Sequence, residues 1–173
     1  MKHLHERSGA ATSAAVRKVE ESARIALVPF SRDYLDHSWR WLNDPETKRL
    51  TMTPDFSRED QERFFAALPR EDYRIWGVEL AGGEPIGAAG LKSFRGDIAE
   101  YWGYIGEPDQ RGRGLGKAML ELVEAEALGL GLVALDLRVA DFNGGAIALY
   151  RRVGFSETGR DGSVLTMRKE LVR

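Results

Sequence analysis

Residues 110–117 read Q-R-G-R-G-L-G-K and carry the strongest structural signal in the chain. They lie between an apolar, strand-like run at residues 102–105 and a helical pattern at residues 115–128. A strand that enters a glycine-rich turn and then a helix is a common phosphate-binding arrangement, because backbone N–H groups and the positive end of the helix dipole face the anion. The sequence therefore predicts a phosphate-binding helix start at this point.

Three kinds of phosphate loop fit a strand, a glycine-rich turn and a helix, and spacing separates them. A Walker loop needs glycine at position 111 and Ser or Thr at position 118, where this chain has Arg111 and Ala118. The Rossmann pattern G-x-G-x-x-G, begun at Gly112 or Gly114, lacks its last glycine. What remains is R-x-x-G-x-G, from Arg111 to Gly116, which resembles the pyrophosphate-binding loop of the GCN5-related N-acetyltransferases (GNAT), where acetyl-coenzyme A is held.

A second motif strengthens the resemblance. Residues 143–155 read N-G-G-A-I-A-L-Y-R-R-V-G-F, similar to that family's N-x-x-A-x-x-L-Y signature followed by G-F. Asn143 as a cap and Gly154 as a stop would explain a short helix, but not two signatures in the family's order. The resemblance covers everything after the first 22 residues. It implies an α/β fold, with a central mixed sheet of six or seven strands, helices on both faces, and a splayed fourth and fifth strand.

Composition excludes several other classes of protein. The chain has 173 residues, 43% of them hydrophobic and 30% charged, which is typical of one globular domain. A net charge of -2 argues against nucleic acid as the main partner. There is no cysteine, and neither H-E-x-x-H nor G-x-S-x-G occurs, so we expect no disulfide, no metal and no serine triad. No apolar run approaches the roughly 20 residues of a membrane-spanning helix, so we expect no membrane partner.

The first 22 residues differ from the rest in composition. They are rich in Ala, Ser, Arg and Glu and lack the apolar core of a signal peptide. We expect a disordered extension or a loosely attached helix at residues 1–22, and a single domain at residues 23–173. A cytoplasmic location follows by default.

Hydrophobic periodicity predicts alternating elements after the extension. The predicted strands are residues 24–30, 73–80, 86–94, 98–105, 132–139 and 164–171. The predicted helices are residues 33–42, 57–68 and 115–128, and one that begins at Asn143. The resulting order, β-α-α-β-β-β-α-β-α-β, agrees with the fold that the resemblance implies.

The resemblance also implies which residues bind acetyl-CoA. Hydrogen bonds from a strand end to the pantetheine arm would come from Tyr104, Ile105 and Gly106. Asn143 would cap its helix and contact the same arm. The diphosphate would be held by the glycine-rich loop and its cations: Arg111, Gly112, Arg113, Gly114, Leu115, Gly116 and Lys117.

Two residues are candidates for proton transfer. Tyr150 matches the tyrosine that donates a proton to the coenzyme sulfur in many family members, a role that a neutral phenol can fill. The alternative is a tyrosine that only closes its helix against the core.

Glu100 is the candidate general base and would act through a water molecule, because strand alternation places it on one face with Trp102 and Tyr104. The alternative is a solvated edge glutamate. Some ribosomal-protein acetyltransferases of this family carry a catalytic glutamate where this chain has Arg138, so their mechanism is a poorer match.

An aromatic segment suggests where the acceptor binds. Residues 39–46 read W-R-W-L-N-D-P-E and resemble the W-x-N-D-P segment of the branch that contains ribosomal N-terminal and amino-sugar acetyltransferases. In that fold the first two helices roof the acceptor site. The predicted acceptor contacts are therefore Trp41, Asn43 and Asp44 in the roof and Trp102 on the sheet. The alternative is that Asn-Asp-Pro only stops a helix and makes a turn.

The sequence therefore predicts an acetyl-CoA-dependent N-acetyltransferase that acts on a primary amine by direct attack in a ternary complex. A small molecule is the favoured acceptor, an amino sugar or a sugar nucleotide first. The alternatives are a protein or peptide α-amine and a non-catalytic CoA-binding module. A closed pocket near Trp41 and Trp102 would favour the small molecule, and an open groove would favour a protein terminus. The resemblance also allows a homodimer.

Overall fold

A computed structural model of the protein describes residues 24–172. The strands are β1 (Ile25–Pro29), β2 (Arg74–Leu80), β3 (Pro85–Arg95), β4 (Ile98–Ile105), β5 (Ala134–Ala140), β6 (Ser156–Asp161) and β7 (Val164–Glu170). The helices are α1 (Asp33–Asn43), α2 (Pro45–Leu50), α3 (Arg58–Ala66), α4 (Leu115–Gly129) and α5 (Gly144–Arg152), with a 3-10 turn at Pro108–Gln110. The predicted N-terminal extension lies outside the described residues.

The seven strands form one mixed sheet in the order β1-β2-β3-β4-β5-β7-β6. β1 to β4 are antiparallel neighbours, β4 and β5 run parallel, and β5, β7 and β6 are again antiparallel. A parallel pair needs a crossover connection, which α4 supplies. The predicted α/β class, with a mixed sheet and flanking helices, is confirmed.

Helices cover both faces of the sheet. On one face, Met119 of α4 packs against Gly103 of β4, and the buried side of α4 joins the main hydrophobic core. On the opposite face, the ring of Tyr34 in α1 lies directly over Gly77 of β2. Alternate side chains of the central strands therefore face α4 on one side of the sheet and α1 to α3 on the other.

Two elements of the structure are absent from the predicted order. α2 begins at the Asn-Asp-Pro turn, because the Asp44 carboxylate accepts a hydrogen bond from the Thr47 N–H at 2.9 Å and Pro45 is the first helical residue. β6 is exposed along its whole length, so it lacks the alternation from which a strand is recognised. The turn at residues 43–46 thus ends one helix and begins another.

Candidate functional site

The parallel strands β4 and β5 pair over only three positions. The partners are Ile98 with Ala134, Ala99 with Leu135, and Glu100 with Asp136. Both strands continue beyond this point, β4 to Ile105 and β5 to Ala140, without pairing to each other. The edge of β4 at Tyr104 and Ile105 therefore faces no strand there, and a ligand with amide groups can hydrogen-bond to it. The predicted splay is confirmed.

The glycine-rich loop leads into the first turn of α4. Gly112 and Gly114 have positive φ angles of 73° and 77°, which favour glycine. Gly114 is the N-cap and has no side chain to satisfy the N–H groups of Leu115, Gly116 and Lys117, which have no acceptor within their own helix. This first turn can therefore bind an anion, with the exposed Arg113 and the half-buried Lys117 nearby in sequence.

Arg111 has a different position from the other loop cations. Its guanidinium donates to the Ile105 carbonyl at 3.0 Å, to the Thr47 hydroxyl at 2.6 Å and to the Gly106 carbonyl at 3.4 Å. The Gly106 N–H in turn donates to the Ile86 carbonyl at 2.7 Å. The Arg111 side chain therefore fastens the end of β4 to α2, and its contact with a diphosphate stays a prediction.

Gly106 is required by packing. A Cβ atom at this position would lie 2.2 Å from the ring of Trp41. Trp41 is only 1% exposed, and its indole N–H donates to the Glu107 carboxylate at 2.9 Å. Trp41 therefore packs against Gly106, just after the end of β4.

α5 brings Asn143 and Tyr150 to the same cavity. The Asn143 side chain caps the helix by accepting from the Ala146 N–H at 3.3 Å, as the sequence predicts. The Tyr150 ring lies 6.5 Å from that of Tyr101 and 5.7 Å from that of Phe155, measured between centroids. Burial raises the pKa of Tyr150 to about 12, because the charged phenolate is poorly solvated there. The phenol is therefore neutral at physiological pH.

A cavity of about 840 Å³ extends from Asn143 and Tyr150, beside the splay, to the space beneath α1, α2 and α3. Its volume is within the usual range for a small-molecule site. Trp102 and Tyr104 form a stacked pair in the wall, with centroids 6.4 Å apart. The aromatic side chains that line the cavity are Phe30, Phe56, Phe64, Tyr73, Tyr101, Trp102, Tyr104 and Tyr150.

Trp102 has an unusual polar group in this wall. Its indole N–H is buried and makes no well-formed hydrogen bond within residues 24–172. The Tyr73 hydroxyl interacts with it and thereby lowers the pKa of that phenol, although burial dominates and raises the pKa to about 12. The position of Trp102 in the wall agrees with its predicted contact with an acceptor.

The other predicted acceptor contacts lie outside the cavity wall. Trp41 is buried behind it, and Asn43 is exposed and donates to the Trp39 carbonyl at 2.9 Å. Asp44 caps α2, and hydrogen bonds from Thr47 lower the pKa of its carboxyl group. All three residues make structural contacts, and their role in acceptor binding stays a prediction.

Glu100 stands at the last paired position of β4. Its cross-strand partners are Lys92 on β3 and Asp136 on β5, and its side chain is on the face that carries Trp102 and Tyr104. Glu100 is two residues before Trp102 but does not itself line the cavity. Its role as a base therefore stays a prediction.

Sequence reasoning missed several residues of the wall. Gln61 is buried and donates to the Leu35 carbonyl at 2.9 Å and to the Ser38 hydroxyl at 3.1 Å, which ties α3 to α1. Lys92 and Tyr73 also line the cavity. A buried glutamine in an exposed helix pattern and a lysine in an apolar strand were the available signals, since both break their local pattern.

The described part of the chain adds two negative findings. No group of His, Cys, Asp or Glu side chains in it could hold a metal ion. None of its helices combines the length and the apolar character needed to pass through a bilayer.

The sheet with a splayed parallel pair, the glycine-rich helix start and the adjoining aromatic cavity together define the class of fold. The Acetyltransferase (GNAT) family model matches residues 35–155. The chain therefore belongs to the acetyltransferase (GNAT) family.

Known proteins with similar sequences include two acetyltransferases. An L-methionine sulfoximine/L-methionine sulfone acetyltransferase of Pseudomonas paraeruginosa is 32% identical over 107 residues, which cover 58% of this chain and 61% of that protein. A ribosomal protein bS18 alanine N-acetyltransferase of Salmonella typhimurium is 33% identical over 84 residues, which cover 49% and 57%. The chain thus spans about three fifths of the length of the curated relatives that it matches.

Solved structures share the fold at lower identity. Spermidine N-acetyltransferase from Vibrio cholerae, in complex with CoA and spermine, superposes with a TM-score of 0.78 at 22% identity. The match covers 86% of this chain and 96% of that one. At this level of identity the likeness supports the fold alone.

Proposed function

We propose that the protein is an N-acetyltransferase that moves an acetyl group from acetyl-CoA to the primary amine of a small molecule, by direct attack in a ternary complex. The observation that carries this proposal is the continuity of the cavity. One space is lined by Asn143 and Tyr150 beside the splay and by Trp102 and Phe56 beneath the helices. A thioester and an amine that enter from opposite ends would meet next to Tyr150.

The residues at the splay fit coenzyme A. The N–H groups of Leu115, Gly116 and Lys117 would bind the diphosphate, with Arg113 and Lys117 adding charge, because these donors lack acceptors in their helix. The unpaired edge of β4 at Tyr104 would hydrogen-bond the amides of the pantetheine arm. The Asn143 side chain lines the cavity next to this path. No metal takes part in this proposal.

The acceptor must attack as a free amine. At pH 7 deprotonation costs about 4.6 kcal/mol for a lysine-like amine with a pKa near 10.4, and about 1.4 kcal/mol for an α-amine with a pKa near 8. A general base typically contributes about 10²–10⁴-fold. Amines of low pKa therefore need the least assistance, and Glu100 would take up the proton through a water molecule.

In the transfer step the C–N bond forms as the C–S bond breaks, and one proton moves in net terms from nitrogen to sulfur. Tyr150 would donate its phenolic hydrogen to the leaving sulfur, and the proton that Glu100 takes from the amine would return through water to restore the phenol. Because the pKa of Tyr150 is about 12, its proton is present at every physiological pH. The chain contains no cysteine that could carry the acyl group instead.

A small acceptor is favoured by the cavity volume of about 840 Å³ and by its aromatic lining beneath α1, α2 and α3. The Pseudomonas relative named for L-methionine sulfoximine supports an amino-acid-like amine. An amino sugar or sugar nucleotide stays a prediction, as do a homodimer and a cytoplasmic location. The Salmonella relative is the reason to retain a protein α-amine as the second candidate.

The proposal is tested by offering the protein acetyl-CoA with a broad set of amines and following thiol release. Small amines, peptides with a free α-amine and a no-amine control should be compared. We expect turnover with small amines and little with peptides. Binding of CoA in calorimetry without thiol release from any amine would support the non-catalytic CoA-binding module, and peptide turnover above that of small amines would support the second candidate.

A further inference from the structure

The cavity wall has more positively than negatively charged side chains, and these differ in whether they already have partners. Within residues 24–172, the charged residues that line it are Asp60, Lys92, Arg111 and Arg138. Three of the four are cations. The acceptor must be compatible with this excess of positive charge.

Two of these four groups are already engaged. The Asp60 carboxylate accepts from the Ser57 N–H at 2.8 Å in the capping box of α3 and pairs with Arg63. The Arg111 guanidinium holds the Ile105 carbonyl and Thr47. Asp60 is thus neutralised by Arg63, and the Nε and Nη2 groups of Arg111 already donate to the end of β4 and to α2, so neither side chain can turn toward a ligand without loss of a structural contact.

Lys92 and Arg138 are different, because neither forms an ion pair or a side-chain hydrogen bond with any residue of the described chain. Lys92 is half-buried on β3, and Arg138 is exposed on β5. On the neighbouring strands, Asp136 is taken by Arg168 at 2.6 Å and by Arg95 at 2.5 Å, and Glu100, which stands opposite Lys92, does not line the cavity. The acceptor side of the cavity thus has two uncommitted positive charges.

Both cations line the same cavity as Trp102. If the pairing of Glu100 with Asp136 continued past the splay, Arg138 would stand opposite Trp102. On the other side of β4, a Cβ at Gly90 would lie 2.6 Å from the Trp102 ring, so the indole lies over β3 at this point. Lys92 lies next along β3, opposite Glu100.

We infer that the acceptor is an amine that carries an anionic group, a carboxylate or a phosphate, and that Lys92 and Arg138 bind this group beside Trp102. This inference rests on the proposed acetyl transfer and names the chemical class of its acceptor. Within residues 24–172, the one carboxylate of the wall, that of Asp60, is paired with Arg63, whereas two cations have no ion-pair partner, so a polyamine is a poorer match than an anionic amine. A charge-assisted hydrogen bond in such a pocket is worth about ten- to a hundredfold in selectivity.

The inference is tested with matched amines that differ only in the anionic group. The pairs are an L-amino acid and its carboxamide, and glucosamine 6-phosphate and glucosamine, with spermidine as the polycation. We expect kcat/KM to be at least tenfold higher for the anionic member of one pair or both, and lowest for spermidine. A preference in the first pair alone identifies a carboxylate, and one in the second alone identifies a phosphate.

Variants separate acceptor binding from coenzyme binding. In Arg138→Gln and Lys92→Gln we expect KM for the anionic amine to rise at least tenfold, with KM for acetyl-CoA unchanged and the preference within the pair reduced. Arg24→Gln is the matched control, since Arg24 is exposed and is not part of the cavity wall. A rise in KM for acetyl-CoA instead would place the two cations on the coenzyme and overturn the inference.

Failure of the inference is distinct from failure of the proposed function. Equal kcat/KM for charged and neutral members of both pairs, or a preference for spermidine, would overturn the anionic acceptor while leaving acetyl transfer intact. Absence of thiol release with every amine would overturn the proposed function itself.

Discussion

The two ends of the cavity are assembled in different ways. The coenzyme end is built from two short segments, residues 111–117 and 143–150, each of which is a turn followed by its own helix. The acceptor end combines residues of α1, α2, α3, β2, β3 and β5, which are far apart in sequence. The first depends on local backbone geometry and the second on packing and strand register. Substitutions at the two ends should therefore fail in different ways.

The largest effect is expected at the point where the two ends meet. Tyr150→Phe removes the proposed proton donor and keeps the ring contacts with Tyr101 and Phe155. We expect kcat to fall by about 10²–10⁴-fold, the usual contribution of a general acid, with both KM values nearly unchanged. Steady-state thiol release measures the change.

Tyr34→Phe is the matched control, because the Tyr34 hydroxyl is also buried, lacks a hydrogen-bond partner and is outside the cavity wall. It should keep full activity. In the wild type, activity should not decline from loss of the Tyr150 proton until the pH approaches about 12, its raised pKa. A fall in kcat of less than about threefold in Tyr150→Phe would remove the proton-donor assignment.

The next largest effect tests the coenzyme end alone. Gly114→Val strains the backbone, because φ at this position is 77°, and places a branched side chain at the first turn of α4. The diphosphate should then lose about two charge-assisted hydrogen bonds to this turn. We expect the Kd for CoA, measured by calorimetry, to rise about 10²-fold. Gly162→Val is the control, since its φ is 58° in a turn between β6 and β7. Equal affinity in the two variants would show that the diphosphate does not bind at this helix start.

A smaller effect is expected at Asp136, at the last paired position of β4 and β5. This carboxylate is 6% exposed and, with Arg168 and Arg95, stands at the last β4–β5 pair. Asp136→Asn should lower the free energy of unfolding by about 1–2 kcal/mol, less than for a fully buried pair because both guanidinium groups reach solvent. Urea denaturation measures the loss.

The pH dependence of this loss has a defined sign. The hydrogen bond from Arg168, together with both positive charges, lowers the pKa of Asp136 below its value of about 3.9 in the unfolded chain. Its stabilisation is therefore present above that unfolded value and is lost as the pH falls through the folded pKa. The wild type and Asp136→Asn should differ by a constant amount from pH 5 to pH 8 and converge below about pH 4. A difference independent of pH would mean that the charge is not what stabilises the junction.

The same contrast explains how much could be predicted from the sequence. Gly114 and Asn143 act through their own backbone and their own helix, so their motifs predicted their positions. Arg111 occupies the predicted loop, but its guanidinium bonds to Thr47, 64 residues earlier. No local pattern contains that contact.

Strand register also limited what could be predicted from the sequence. The β3–β4 pairing shifts between Lys92 and Arg95, and Ser93 has a φ of 51°. Without this irregularity, a regular hairpin would pair Tyr101 with Lys92 and turn the lysine toward the core. A one-residue shift moves every side chain to the other face, so Lys92 could be assigned to the cavity only from the structure.

The smallest effects are expected in the roof, where they test whether the acceptor reaches α1 and α2. Asp44→Ala removes the α2 cap and should cost about 1 kcal/mol of stability, and Asn43→Ala should change stability by less than about 0.5 kcal/mol. Neither variant should change KM for the amine by more than about twofold, which is too small a change to indicate contact with the ligand.

Trp102→Leu, which alters the cavity wall itself, should raise KM for the amine by about tenfold through loss of aromatic contact. An equally large rise in KM for the amine in Asn43→Ala, at unchanged stability, would show that the acceptor also contacts α1. An exposed side chain with only a local hydrogen bond can affect KM only by contact with the ligand.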